Sequence, residues 1–143
     1  MIFIVTLCIV PLTAWCFYNE YMHSDDVYGA SYSPDGSKVV IAAKDGKNYI
    51  INAISMQVEY PYVSEQCRSA KYSPDGNYIA FGLNNDSVII LDSSYNFVAD
   101  LGTNFGDVRE LDFSANSDKL LVCGNSGDDG YEIWTVPGWN KVK

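Results

Sequence analysis

The chain has one histidine and half as many basic residues as acidic ones, 9 against 18, which gives a formal net charge of −9. Its Lys and Arg residues gather into no patch, so nothing drives it electrostatically toward nucleic acid or an anionic membrane surface. GxSxG, HExxH, a glycine-rich phosphate loop and a spaced carboxylate pair are all missing, and those patterns are what place a nucleophile, a metal or a phosphate. The four cysteines, Cys8, Cys16, Cys67 and Cys123, show no CxxC spacing of the kind that ligates zinc. From Ser24 onward no apolar stripe of helical period is long enough to form a core helix. The lone His23 precedes Ser24, Asp25 and Asp26; neighbours in an extended segment point in alternating directions, so this order implies no triad, and His23 is expected to be a solvated linker residue. Together these absences point to a chain that is not an enzyme and holds no cofactor.

What is present is a repeat. Ser31-Tyr32-Ser33-Pro34-Asp35-Gly36 recurs as Lys71-Tyr72-Ser73-Pro74-Asp75-Gly76 and, more loosely, as Asp112-Phe113-Ser114-Ala115-Asn116-Ser117. The aromatic residue returns after 40 and then 41 positions, the length of one four-stranded supersecondary unit that cannot bury its faces alone. Each turn is followed by a short apolar run, 38–42, 78–82 and 119–123, then a polar hairpin, then a second run, 49–51, 88–91 and 131–134. Gly, Asn and Asp in those hairpins supply left-handed backbone. A fourth strand is expected over 56–60 and 96–101, while the third unit has only Trp139-Asn140-Lys141-Val142 in that place. The turn residues Ser33, Pro34, Asp35, Gly36, Ser73, Pro74, Asp75 and Gly76 are expected to be structural. Proline presets one dihedral, aspartate bonds the local backbone, and glycine takes the strained position.

On this turn and period the chain resembles the WD-repeat-like β-propeller family over about four fifths of its length, from Val27 onward. The dipeptide that names the family is degenerate here: Ile51-Asn52, Leu91-Asp92 and Trp134-Thr135. No Gly-His pair precedes the first strands, so the family's Asp-His-Ser/Thr-Trp network has no complete set in any unit. The resemblance implies an all-β fold, a partial β-propeller of about three four-stranded antiparallel blades spanning residues 24–143, preceded by an apolar segment and linker at 1–23. It also implies a protein partner.

Propellers close with four to eight blades, and an arc of three exposes flat sheet faces and a strand edge that invite association. The expected partner is therefore another copy of the chain, in a ring or filament, with Trp134, Trp139 and Val142 as interface residues near an open edge; the alternative is a fragment of a larger WD-repeat protein. A further alternative is a secreted propeller that binds a ligand or glycan through Tyr60, Tyr62, Tyr95 and Trp139. No metal site is expected, although the oxygen-rich loop at 125–130 is of the type that suits Ca²⁺; it lacks the twelve-residue loop of an EF-hand.

Residues 1–14 form an apolar run without a charged side chain. Three readings stay open: a secretory signal cleaved after Ala14, a β-strand completing a blade, or a short membrane anchor. Correspondingly, the chain is expected to be secreted or extracellular, with membrane-anchored and cytoplasmic locations as alternatives. Cys67 and Cys123 align with small or apolar positions of the other units and are expected to be buried thiols, while Cys16 is a candidate for an intermolecular disulfide in an oxidising compartment.

Overall fold

The computed structural model describes residues 23–63, 66–125 and 130–143. The apolar run at 1–14, Cys16 and most of the 125–130 loop lie outside the described residues. Eleven strands follow one another: β1 (Val27–Tyr32), β2 (Lys38–Ala43), β3 (Lys47–Asn52), β4 (Val58–Val63), β5 (Cys67–Tyr72), β6 (Tyr78–Leu83), β7 (Ser87–Asp92), β8 (Phe97–Gly102), β9 (Val108–Phe113), β10 (Lys119–Gly124) and β11 (Tyr131–Thr135). They form three antiparallel meanders in strand order β1-β2-β3-β4, β5-β6-β7-β8 and β9-β10-β11. The expected all-β blade array is thus the fold, with four, four and three strands.

Register shows how closely the units repeat. Tyr32, Tyr72 and Phe113 sit opposite Val39, Ile79 and Leu120 respectively. An irregularity interrupts the first strand pair of each unit near Val27, Cys67 and Val108, which twists the strand at the same point every time. The hairpins after β2, β6 and β10 place Gly46, Asp86 and Gly130 at φ of 77°, 66° and 68°. This is the left-handed backbone that tight hairpins demand.

The core is two interfaces between blades. Val40, Ala42 and Ile50 of the first blade meet Cys67, Ala70, Ile79, Phe81, Leu83, Ile89 and Leu91 of the second. The other face of the second blade, Ala80, Val88, Ile90 and Leu101, meets Phe105, Val108, Leu111, Phe113, Leu120 and Val122. Period-two alternation along β6 sends Ile79 and Phe81 one way and Ala80 the other, so the middle blade is apolar on both sides. Each fully buried side chain of this size contributes about 1.5–3 kcal/mol relative to exposure.

Candidate functional site: the blade junctions and the outward face of the third blade

Each unit is anchored by its turn. The Ser33 hydroxyl donates to Asp35 Oδ1 at 2.6 Å and accepts from Lys38 N–H at 2.9 Å, while Ser37 N–H donates to Asp35 at 3.0 Å. Ser73, Asp75, Tyr78 and Asn77 reproduce those contacts in the same order at 2.6, 2.9 and 3.1 Å. Gly36 and Gly76 take φ of 71° and 74°. In the third unit Ser117 holds the glycine place at φ 58°, and the acid has moved to Asp118, which accepts from Ser114 Oγ at 2.9 Å. Hydrogen bonds from the Ser33 and Ser37 hydroxyls and the Ser37 amide bring the Asp35 carboxyl down to about 2. Pro34 and Pro74 close the same two turns, so all eight predicted turn residues occupy matching places.

The second member of each degenerate dipeptide also has local work. Asn52 Oδ1 accepts from the Ile54 and Ser55 amides, both at 3.0 Å, and Asp92 Oδ1 accepts from the Ser94 and Asn96 amides at 2.8 and 2.9 Å. These bonds shape the turns into β4 and β8.

Along the inner edge of the arc, where β1, β5 and β9 succeed one another, charges pair from blade to blade. Arg68 reaches Asp107 at 3.2 Å and Lys71 reaches Glu110 at 3.6 Å, and the Arg68 guanidinium lies 5.0 Å from the Tyr28 ring centre. Carboxylates are therefore matched by cations here rather than converging as an acid–base pair. Among the described residues no group of three or more His, Cys, Asp or Glu side chains is placed to hold a metal ion.

The outward face of the third blade differs from its two counterparts. Register aligns Leu121 with Val40 and Ala80, Ile133 with Ile50 and Ile90, and Cys123 with Ala42 and Gly82. Val40, Ala80, Ile50 and Ile90 are 0% exposed beneath the following blade, whereas Leu121 and Tyr131 are 36% exposed and Ile133 is half-buried. Cys123 is also half-buried, which corrects the expectation of a buried thiol: no described element covers it. Burial pushes the Cys67 thiol up to about 12, and both thiols are free.

Three further expectations are revised. The edge near Trp134–Val142 is not open. Ile133 N–H donates to Lys143 C=O at 3.0 Å, Val142 N–H donates to Ile133 C=O at 2.8 Å, and Lys141 pairs with buried Glu132. The C-terminal residues thus fold back on β11 in the place of a fourth strand. Trp139 packs edge-on against Tyr78 with ring centres 5.1 Å apart, and Trp134 is partly buried in the same core; of the three residues expected at an interface, Val142 is the exposed one at 63%. His23 is not solvated: its side chain is 14% exposed, its Nδ1 lies 3.3 Å from Asp45, and its ring packs tilted against Tyr49 with centres 5.2 Å apart, because the Asp45 carboxylate also caps Ser24 N–H and fixes the approach of this segment. Tyr60 and Tyr95 pack on each other at 5.2 Å between the first two blades. The Tyr62 side chain lies outside the described residues.

Comparison with known proteins agrees with this architecture. The family model "WD domain, G-beta repeat" matches residues 15–52. Echinoderm microtubule-associated protein-like 3 of Homo sapiens is 30% identical over 122 residues, covering 76% of this chain and 13% of that protein. Polyadenylation factor subunit 2 of Candida albicans is 25% identical over 118 residues, covering 81% of this chain and 21% of that protein. The chain therefore spans about a fifth or less of the curated relatives it matches. Among solved structures, the RRP9 WD40 repeats superpose with a TM-score of 0.76 at 22% identity, covering 85% of this chain and 39% of that one.

Proposed function

The chain belongs to the WD-repeat-like β-propeller family, and from that premise we propose that it is a noncatalytic interaction scaffold whose third blade docks a further blade, supplied by a second copy of the chain. Proteins of this family mediate protein–protein contacts, and the observation that carries the finer reading is the charge pair across the second junction, whose two places recur in each blade. Asp26, Gln66 and Asp107 occupy one place, since their carbonyls accept from Lys44, Asn84 and Asn125 N–H in turn; Tyr28, Arg68 and Arg109 occupy the next but one. Arg68 of the second blade pairs with Asp107 of the third. Arg109 of the third blade is 48% exposed and, among the described residues, pairs only with its own Asp107 at 3.5 Å; it would meet Asp26 of an incoming first blade by the same geometry. Leu121 and Ile133 would then receive the apolar face that carries Val39, Ile41 and Ile51. Repeated head to tail, this contact gives a ring if the rotation closes and a filament if it does not.

A second reading has its own support. A Cβ at Gly82 would lie 2.6 Å from Val108 Cγ1, so that junction needs a glycine against valine, and the first junction sets Ala42 against the smaller Cys67. A second copy would set Cys123 against Val27, a larger sum than either. This crowding favours a following blade with a smaller residue there, as in a longer WD-repeat protein. Light scattering across a micromolar concentration series tests the association: mass rising in multiples of 15.9 kDa supports self-docking, and a folded species that stays at one chain overturns it.

Secretion belongs to this proposal through the apolar run at residues 1–14. Sequencing the mature N-terminus decides it: a start after Ala14 is expected, and a native start at Met1 contradicts cleavage.

A further inference from the structure

The two blade junctions bring the same elements together but fill their turn ends differently. At the second junction Phe113 offers no hydroxyl, Ser117 Oγ accepts from Asp75 N–H at 3.0 Å, and Trp139 lies against Tyr78. At the first, Tyr72 stands in the place of Phe113, Gly76 in that of Ser117, and Lys38 in that of Tyr78. Gly76 sends nothing across; a Cβ there would touch only Pro34, at 3.8 Å. The result is a cleft of about 260 Å³ between the two Ser-Pro-Asp-Gly turns, walled by Pro34, Asp35, Tyr72, Asp75, Ser93 and Tyr95.

Two features say what belongs in it. The Tyr72 Oη is buried in this wall and has no hydrogen-bond partner among the described residues, a condition that costs about 1–3 kcal/mol and that the next blade avoids with Phe113. The charge is also one-sided. Lys38 Nζ donates to Tyr95 Oη at 2.6 Å and pairs with Glu59 at 3.0 Å, while Tyr95 Oη donates to Glu59 at 2.8 Å. That cation is therefore matched from within, and Asp35 and Asp75 are left as the cleft's unmatched charges. Asp35 is held ionised by its serine and backbone bonds. Asp75, despite burial that would raise it, is lowered by Ser73 and Asn77. An anion would face two carboxylates, and the one cation among the described residues that lines the cleft, Lys38, is already held by Glu59.

We infer that this cleft takes an arginine side chain of a protein partner. A guanidinium is flat, stacks on tyrosine faces, and presents five N–H donors in a fork that can serve a carboxylate and a phenolic oxygen together. Lysine offers a compact, strongly hydrated charge without that geometry. The site is separate from the outward face of the third blade, so it adds a second kind of contact to the scaffold rather than restating blade docking.

The experiment titrates the full chain with the capped tripeptide acetyl-Gly-Arg-Gly-amide, followed by NMR, with lysine and citrulline tripeptides as controls. Saturable shifts confined to residues around Tyr72, Ser93 and Tyr95 are expected, with a Kd on the order of 1 mM. Tyr72→Phe should weaken binding about tenfold through loss of one hydrogen bond to a charged group. Gly76→Ser should abolish it by rebuilding the Ser117-type link across the cleft. Phe113 and Ser117 show that the fold accepts both residues at these places, and amide spectra confirm each variant's fold. Absence of saturable shifts, equal binding by the citrulline or lysine peptide, or unchanged binding by both variants overturns the inference. Mass is read on the same samples, so a chain that associates but ignores arginine contradicts this inference alone, and one that binds arginine as a monomer contradicts self-docking alone.

Discussion

The first blade junction is polar and incompletely filled at its turn end, whereas the second is apolar and closed. At the first, Lys38, Glu59 and Tyr95 form a clamp around a cleft; at the second, Tyr78, Trp139 and Ser117 occupy the equivalent space. The turns repeat the same hydrogen bonds, so the difference comes from substitutions on one scaffold, among them Lys for Tyr, Tyr for Phe, Gly for Ser and, at the turn into the last strand, Tyr95 for Trp139. Repetition supplies the architecture, and departures from it mark where this chain has freedom to bind.

The comparison can be broken most forcefully at the closed junction. Ile90 is 0% exposed there, and Ile90→Lys buries an ammonium without a partner, a loss of about 3–5 kcal/mol by analogy with a broken buried ion pair. Urea unfolding followed by circular dichroism should show the midpoint collapse, and an unchanged midpoint would mean the second junction is not the core described.

A smaller effect is expected from Gly82→Ala, whose new Cβ would lie 2.6 Å from Val108 Cγ1. Overpacking of this kind costs about 1–3 kcal/mol. Pairing it with Val108→Ala should recover part of the loss, because the pair then resembles the Ala42–Cys67 contact of the first junction. Non-additivity in a double-mutant cycle checks this.

At the turns, Gly76→Val should cost on the order of 1 kcal/mol or more, since a β-branched residue resists the φ of 74°. Ser117→Gly relaxes the backbone but removes the acceptor of Asp75 N–H, so a net change under about 1 kcal/mol is expected.

The smallest expected effect is the acid response. Asp35 is lowered to about 2 by the Ser33 and Ser37 hydrogen bonds. A carboxylate whose folded pKa is depressed contributes stability that is fully present above its unfolded value near ~3.9 and lost as pH falls through the folded one. The native chain should therefore lose stability from about pH 4 toward about pH 2, and Asp35→Asn should flatten that slope. An identical slope in the variant would show that the turn carboxylate is not linked to folding.

Much of this was legible in the sequence because turn chemistry is local. Ser-Pro-Asp-Gly, the hairpin Gly and Asn residues and the alternation along β6 each follow from near neighbours, and they locate all three blades. The C-terminal pairing was harder to see, since it depends on Lys141 finding a glutamate, Glu132, on an adjoining strand. The cleft was invisible because it arises from comparing residues some forty positions apart after folding, where Tyr72 in place of Phe113 reads in the sequence as one aromatic for another. His23 was misjudged for a related reason: Asp45, which draws it in, is 22 residues away.

The claim on which the function rests is that the third blade's outward face docks a first blade through Arg109 and Asp26, and a charge swap tests it most directly. Masses of the native chain, Arg109→Asp, Asp26→Arg and the double variant are compared by light scattering at equal micromolar concentration. Mass above 15.9 kDa for the native chain, reduced association in each single variant and recovery in the double variant is the predicted result. A folded native monomer, or single reversals that leave the mass unchanged, would contradict it.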